Sequence, residues 1–177
     1  GFVAAISGLG FVFTGSGVKA RLLRVIATRL YRIALGHPNS RIIFQNPDDS
    51  RLLQKIGAVR ESQVTMIRGS GVDMQAWPYE PERAGPPVAL MVSRLLKDKG
   101  VEEFVEAARS SKNHPSGLQW KIAGSLDPGN PASFSLETLA QWKEEGAVTF
   151  LGECDNIGQQ YAQAHIAVLP SYREGLP

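Results

Sequence analysis

A single cysteine, Cys154, stands among 177 residues, which excludes an internal disulfide and a cysteine-rich zinc site and favours a reducing, cytoplasmic setting. On its own Cys154 reads as a small hydrophobe. The three histidines, His37, His114 and His165, have no carboxylate or cysteine at ligand spacing, so neither a metal site nor a nucleophilic triad is indicated. No Gly-x-Gly-x-x-Gly occurs, since Gly8-Leu-Gly10 and Gly15-Ser-Gly17 lack the third glycine, and no Walker loop is present. Gly1 to Val18 carries no charge, yet it is a poor membrane span. Its five glycines would each cost a helix about 1 kcal/mol relative to alanine. Val3 to Ile6 and Phe11 to Phe13 read instead as short buried strands.

Acidic residues are missing before Asp48, whereas Lys19, Arg21, Arg24, Arg29, Arg32 and Arg41 precede it. The net charge is only +2, so the front of the chain is a basic block within a nearly neutral molecule. Val18 to Leu35 sets Leu22, Leu23, Val25, Ile26, Leu30 and Ile33 at helical spacing, predicting a basic amphipathic helix over 18–35. Such a helix either rests on an anionic membrane surface or presents a solvated face. Aromatics beyond Tyr31 are not interleaved with the basic block, which argues against nucleic acid.

With 43% apolar and 20% charged residues the chain can bury a core. A strand is expected over Arg41–Gln45, closed by Pro47, then a helix capped by Asp48 or Asp49 and a strand over Gln63–Ile67. Prolines 78, 81, 86 and 87 mark Trp77 to Pro87 as a linker. Beyond it strands and helices alternate: Val88–Val92, Val101–Ser110, Leu118–Ala123, Ser133–Glu145, Val148–Leu151, Ile157–Ala164 and Ile166–Leu169. Near-continuous apolar strands separated by helices of about ten residues imply a doubly wound, Rossmann-like parallel sheet covered on both faces.

Ligands of such sheets bind at the carboxyl ends of the strands. Three segments fall there. Ser93-Arg-Leu-Leu-Lys-Asp-Lys-Gly100 sets Arg94 and Lys99 beside a helix N-terminus, which suits a diphosphate. Glu153, Cys154 and Asp155 form a loop able to offer backbone groups to a planar base, while Asp155 or Asn156 caps the next helix. Leu169 to Pro177 delivers Ser171, Tyr172, Arg173 and Glu174, a carboxylate able to accept hydrogen bonds from sugar hydroxyls.

In this order, Gly8-Leu-Gly-Phe-Val-Phe-Thr14, Phe44-Gln-Asn-Pro-Asp-Asp49, Gly69-Ser-Gly-Val-Asp73, the 93–100 segment, Phe150-Leu-Gly152 and 169–177 resemble a retaining glycosyltransferase of family 4. This is the group 1 type with GT-B architecture, and the resemblance is to its capsule, exopolysaccharide and lipid-linked glycan subset. It implies that residues 1–81 end an acceptor-side Rossmann-like domain with its linker, and that 82–177 begin a nucleotide-sugar donor domain. It assigns the donor diphosphate to Arg94 and Lys99, and the donor sugar to Glu174 as the first glutamate of a Glu-x7-Glu motif. The amides of Gly175 and Leu176 would approach the sugar and phosphate. No cofactor and no essential metal are implied.

The implied reaction is hexosyl or N-acetylhexosaminyl transfer from a UDP-sugar to a lipid-linked or polysaccharide acceptor, in the cytoplasm or at the inner face of the cell membrane. The alternatives are a UDP-sugar 2-epimerase of the same architecture and a non-enzymatic donor-binding or membrane-recruiting subunit. Because the second glutamate would fall beyond Pro177, the expectation is a piece of a longer enzyme, inactive by itself.

Overall fold

The computed structural model describes residues 1–9, 13, 17–69, 71–172 and 174, with no side-chain description at 19 and 20. They form two compact units, Gly1–Val72 with Glu174, and Asp73–Arg173.

In the first unit, β1 (Phe2–Ile6), β2 (Ser40–Phe44) and β3 (Val64–Met66) make a parallel sheet in the order β1-β2-β3. Helix α1 (Val18–Leu35) returns the chain between β1 and β2, and α2 (Pro47–Lys55) lies between β2 and β3. Ile42, Phe44, Leu53 and Ala58 form its core with Leu9 and Leu35. Pro47 opens α2 rather than closing the strand, because its fixed φ and missing N–H cost nothing at the first helical position. The cap is Asn46, not Asp48 or Asp49: its Oδ1 accepts from the Asp49 N–H at 2.8 Å. Phe13, expected in a strand, has helical backbone and sets its ring 5.9 Å from that of Tyr31; Phe11 and Val12 lie outside the described residues.

Gln63, 1% exposed, fastens this unit. Its Nε2 donates to the Leu35 carbonyl at 2.9 Å, to the His37 carbonyl at 3.0 Å and to Ser40 Oγ at 2.6 Å. Its Oε1 accepts from the Arg60 N–H at 3.0 Å. One carboxamide thus serves the last carbonyl of α1, at Leu35, and shares the His37 carbonyl with the Ser40 hydroxyl, which donates to it at 2.8 Å. Gln63→Leu removes the bonds to the buried Leu35 carbonyl and the Arg60 N–H and is expected to cost about 2–3 kcal/mol, read as an earlier denaturation midpoint with an unchanged m-value.

In the second unit, β4 (Val88–Val92), β5 (Gln119–Ala123), β6 (Thr149–Gly152) and β7 (Ile166–Ala167) form a parallel sheet ordered β6-β5-β4-β7. Helices α3 (Val101–Ser110), α4 (Leu136–Glu145) and α5 (Ile157–Ala162) make the crossovers. Phe104, Val105 and Ala108 of α3 and Trp142 of α4 pack on Met91 and Ile122, the burial that their helical spacing predicts. Helix α4 starts at Leu136 rather than Ser133, because the Ser135 hydroxyl caps it by accepting from the Thr138 N–H. Strand β7 stops short of Leu169. Val168 N–H still reaches the Leu90 carbonyl at 2.9 Å, but Pro170 has no N–H with which to continue the ladder.

Candidate functional site

Four loops meet at the carboxyl edge of the second sheet, held together by backbone hydrogen bonds. Ser93 N–H donates to the Ala123 carbonyl at 3.0 Å, Leu95 N–H to the Ser125 carbonyl at 2.9 Å and Lys97 N–H to the Ala132 carbonyl at 2.9 Å. These bonds clamp the loop after β4 to the loop after β5. Gly124 N–H donates to the Gly152 carbonyl at 2.7 Å, tying in the loop after β6. Gly124 has φ +145°, and a Cβ there would lie 1.8 Å from the Ser93 carbonyl oxygen. The clamp therefore requires glycine.

The loop after β7 is pressed onto the loop after β4 at a second glycine. Gly100 has φ +75°, and an added Cβ would sit 2.3 Å from the Pro170 carbonyl oxygen. Tyr172 N–H then donates to the Asp98 carbonyl at 3.0 Å, and its hydroxyl donates to a Glu103 carboxylate oxygen on α3. That hydrogen bond, with the charge of Glu103, holds the Tyr172 phenol above its ordinary value. Gly100 also begins α3, and with no side chain of its own it leaves the capping of the first-turn N–H groups, which favour an anion, to other groups.

Arg94 stands on this edge, exposed, with its Nη1 donating to Asp127 Oδ2 at 2.6 Å. That contact uses one N–H of a five-donor fork, and the side chain stays 62% exposed, which leaves it open to a planar anion. Lys99 is half-buried in a 3-10 turn, Lys97–Lys99, that leads into Gly100. Both cations belong to Asp73–Arg173, whereas Glu174, half-buried, belongs with Gly1–Val72. Gly175 and Leu176 lie outside the described residues. Glu153 and Asp155 are exposed and Cys154 half-buried in the loop after β6, with Cys154 Sγ turned to the carbonyl of Gly152, two residues back. Of the two caps expected for α5, Asn156 is the one used: its Oδ1 accepts from the Gln159 N–H at 3.0 Å.

Asp127, the partner that orients Arg94, escaped the sequence reading, and so did Glu103. Each lies far along the chain from the residue it holds, and only the tertiary fold brings them together. Among the described residues no helix is long and apolar enough to cross a membrane. Helix α1 nevertheless exposes Leu22, Leu30 and Ile33 at 64%, 60% and 81%, a stripe of apolar side chains amid arginines.

The family model of the glycosyl transferases group 1 matches residues 77–177. An N,N'-diacetylbacillosaminyl-diphospho-undecaprenol alpha-1,3-N-acetylgalactosaminyltransferase of Campylobacter jejuni is 30% identical over 187 residues, covering 98% of this chain and 47% of that protein. WaaG, a glycosyltransferase involved in lipopolysaccharide biosynthesis, superposes with a TM-score of 0.72 at 15% identity, over 98% of this chain and 51% of its own. Anabaena HepE, solved with UDP and glucose, superposes with a TM-score of 0.67 at 18% identity, over 96% of this chain and 46% of its own. The chain thus spans about half the length of the proteins it matches.

Proposed function

Because the chain belongs to the glycosyl transferases group 1 family, with Rossmann-like parallel sheets of the GT-B type, we propose that it serves a retaining, family 4 hexosyltransferase. The enzyme moves a hexosyl or N-acetylhexosaminyl group from a UDP-sugar to a lipid-linked or polysaccharide acceptor. The carboxyl edge of the second sheet, with Arg94 and Lys99 beside the start of α3, is the observation that carries this reading. Support comes also from the Campylobacter relative, named for transfer onto a diphospho-undecaprenol acceptor, and from HepE, whose structure holds UDP and glucose.

In this reading the bond between the sugar's anomeric carbon and the diphosphate breaks, and a new bond to the acceptor hydroxyl oxygen forms. The acceptor's proton leaves with UDP. Arg94 and Lys99 offset the charge that builds on the leaving diphosphate, as fixed cations do without reorganisation, in place of a bound metal. Glu174 accepts hydrogen bonds from the donor sugar, the Gly175 and Leu176 amides approach its phosphate, and the 153–155 loop meets the base. Residues 82–177 serve as the donor side and 1–81 as the acceptor side with the linker. Calorimetric titration with UDP, GDP and ADP in EDTA tests the donor assignment. UDP should bind selectively, and binding of none of the three would sink it.

The acceptor side meets the membrane through α1, whose exposed apolar stripe and arginines suit an anionic surface. A polybasic segment gains about 1 kcal/mol per cation near such a surface. Arg21→Glu with Arg29→Glu should therefore weaken co-sedimentation with phosphatidylglycerol vesicles at least tenfold. Arg32 is left intact because its Nε donates to the Ile56 carbonyl at 2.6 Å. Retention of full vesicle binding by the double variant would remove the membrane part alone.

A further inference from the structure

The proline-rich segment after Asp73 is fastened at two points, one on α5 and one at His165 just beyond it. Trp77 lies against Gly158, where an added Cβ would stand 3.5 Å from the indole. Its ring centroid is 6.1 Å from that of Tyr161, tilted by 59°. Farther along, His165 Nδ1 accepts from the Val88 N–H at 3.1 Å, and its Nε2 lies 2.9 Å from the Arg83 carbonyl. A ring carrying its proton on Nε2 makes both bonds at once.

Between these fastenings the segment and α5 border an open cleft of about 630 Å³, lined by Trp77, Glu80, Arg83, Asn156, Gln159 and Tyr161 among others. That volume lies within the range of small-molecule sites. Trp77 and Tyr161 remain 42% and 40% exposed, so part of each ring is open to a ligand. Among the described residues neither the Gln159 carboxamide nor the Tyr161 hydroxyl has a hydrogen-bond partner, and Asn156 uses only its Oδ1. Glu80 and Arg83 face each other at 3.9 Å, so the rim carries both signs and little net charge.

This lining selects among ligands. A phosphorylated ligand would meet Glu80 together with the one lining cation, which already faces that carboxylate. A peptide side chain would want a closed apolar pocket, whereas these walls alternate aromatic rings with carboxamides. An uncharged ring with one C–H face and a rim of hydroxyl or acetamido groups matches both features, the face stacking on an aromatic and the rim meeting amides and a carboxylate.

We propose that this cleft is a saccharide-binding site separate from the donor edge, holding a sugar of the acceptor glycan. The pyranose C–H face lies on Trp77, and its hydroxyl or acetamido groups bond Gln159, Asn156 and Glu80. None of its lining residues is among those assigned to the donor. Naming the sugar as the acceptor's rests on the transferase reading; the cleft's choice of a saccharide does not.

The test is saturation-transfer NMR and calorimetry on the full chain with N,N'-diacetylchitobiose, maltose and, separately, UDP. At least one disaccharide should bind saturably. Trp77→Ala should weaken it about tenfold and Gln159→Ala about fivefold, while Trp77→Phe, which keeps a stacking face, stays within about threefold of the parent. UDP affinity should stay within about twofold in all three variants, and Trp77→Phe also guards against loss of the local fold. The proposal is overturned if neither disaccharide binds, if Trp77→Ala and Gln159→Ala both leave binding unchanged, or if UDP affinity falls in step with that of the sugar. Disaccharide binding that persists where UDP fails to bind would keep the cleft and remove the donor reading.

Discussion

Gly124→Ala should lower the melting temperature by at least about 15 °C, the largest stability loss expected of a methyl group added at any of the described glycines. The added Cβ would occupy a point 1.8 Å from the Ser93 carbonyl oxygen at a φ of +145°, so neither rotamer choice nor a side-chain shift can relieve it. Relief requires the loops after β4 and β5 to part, breaking the bonds from Ser93 to Ala123 and from Gly124 to Gly152. Strain of this kind and the loss of two backbone bonds together amount to about 4 kcal/mol or more. For a unit of this size that corresponds to a shift of the stated order. Gly129→Ala is the control, since its added Cβ would meet nothing nearer than 3.9 Å and should move the transition by no more than about 2 °C. If Gly124→Ala melts within about 3 °C of the parent, the clamp described here is wrong.

UDP affinity should fall about 10- to 150-fold in Arg94→Ala and again in Lys99→Ala. A hydrogen bond from a fixed cation to a diphosphate contributes roughly 1.5–3 kcal/mol. Arg94→Lys should recover only part of the loss. An ammonium lacks the planar fork that keeps one N–H on Asp127 while presenting others to the phosphates. Binding in the parent should weaken as salt is raised, because Arg94 is solvent-exposed. Parent-like UDP affinity in both alanine variants would place the diphosphate elsewhere.

Much of the architecture is written in local pattern. Val88–Val92 is a pure apolar run bounded by Pro87 and a polar loop, and Val101, Phe104, Val105 and Ala108 repeat at helical spacing. The strand and helix fall on those residues, because β4 is buried on both faces and α3 along one, and each pattern matches that burial. Caps were harder to assign. Asn46, Asp48 and Asp49 are all competent to cap a helix, and only the locked φ of Pro47 decides among them. The uncharged opening was misleading at Phe13, whose apolar neighbours suit a strand as well as a helix.

The candidate site was legible in its cations and not in what orients them. Arg94 and Lys99 stand out beside a strand end, but the Asp127 carboxylate that holds Arg94 comes from a Gly- and Pro-rich loop with no periodicity of its own. Likewise, nothing near Gly100 announces that Pro170 will press on it. The same holds for Trp77, which reads as part of a linker and proves to lie on a helix far along the chain.

The sheet of the second unit is closed by a pairing that reaches back across the chain. His165 bonds Val88 over a separation of 77 residues, and β7 fills in beside β4. On a ribosome adding about 5–20 residues per second, that flank of β4 waits roughly 4–15 s for its partner. Until Ile166 emerges, a strand with four of its five residues buried in the finished fold offers an open edge to any other nascent chain nearby. Slower translation across the 93–165 stretch would lengthen that exposure. The yield of folded protein should therefore depend on translation rate, and on chaperones that cover strand edges, more strongly than the stability of the finished domain would suggest.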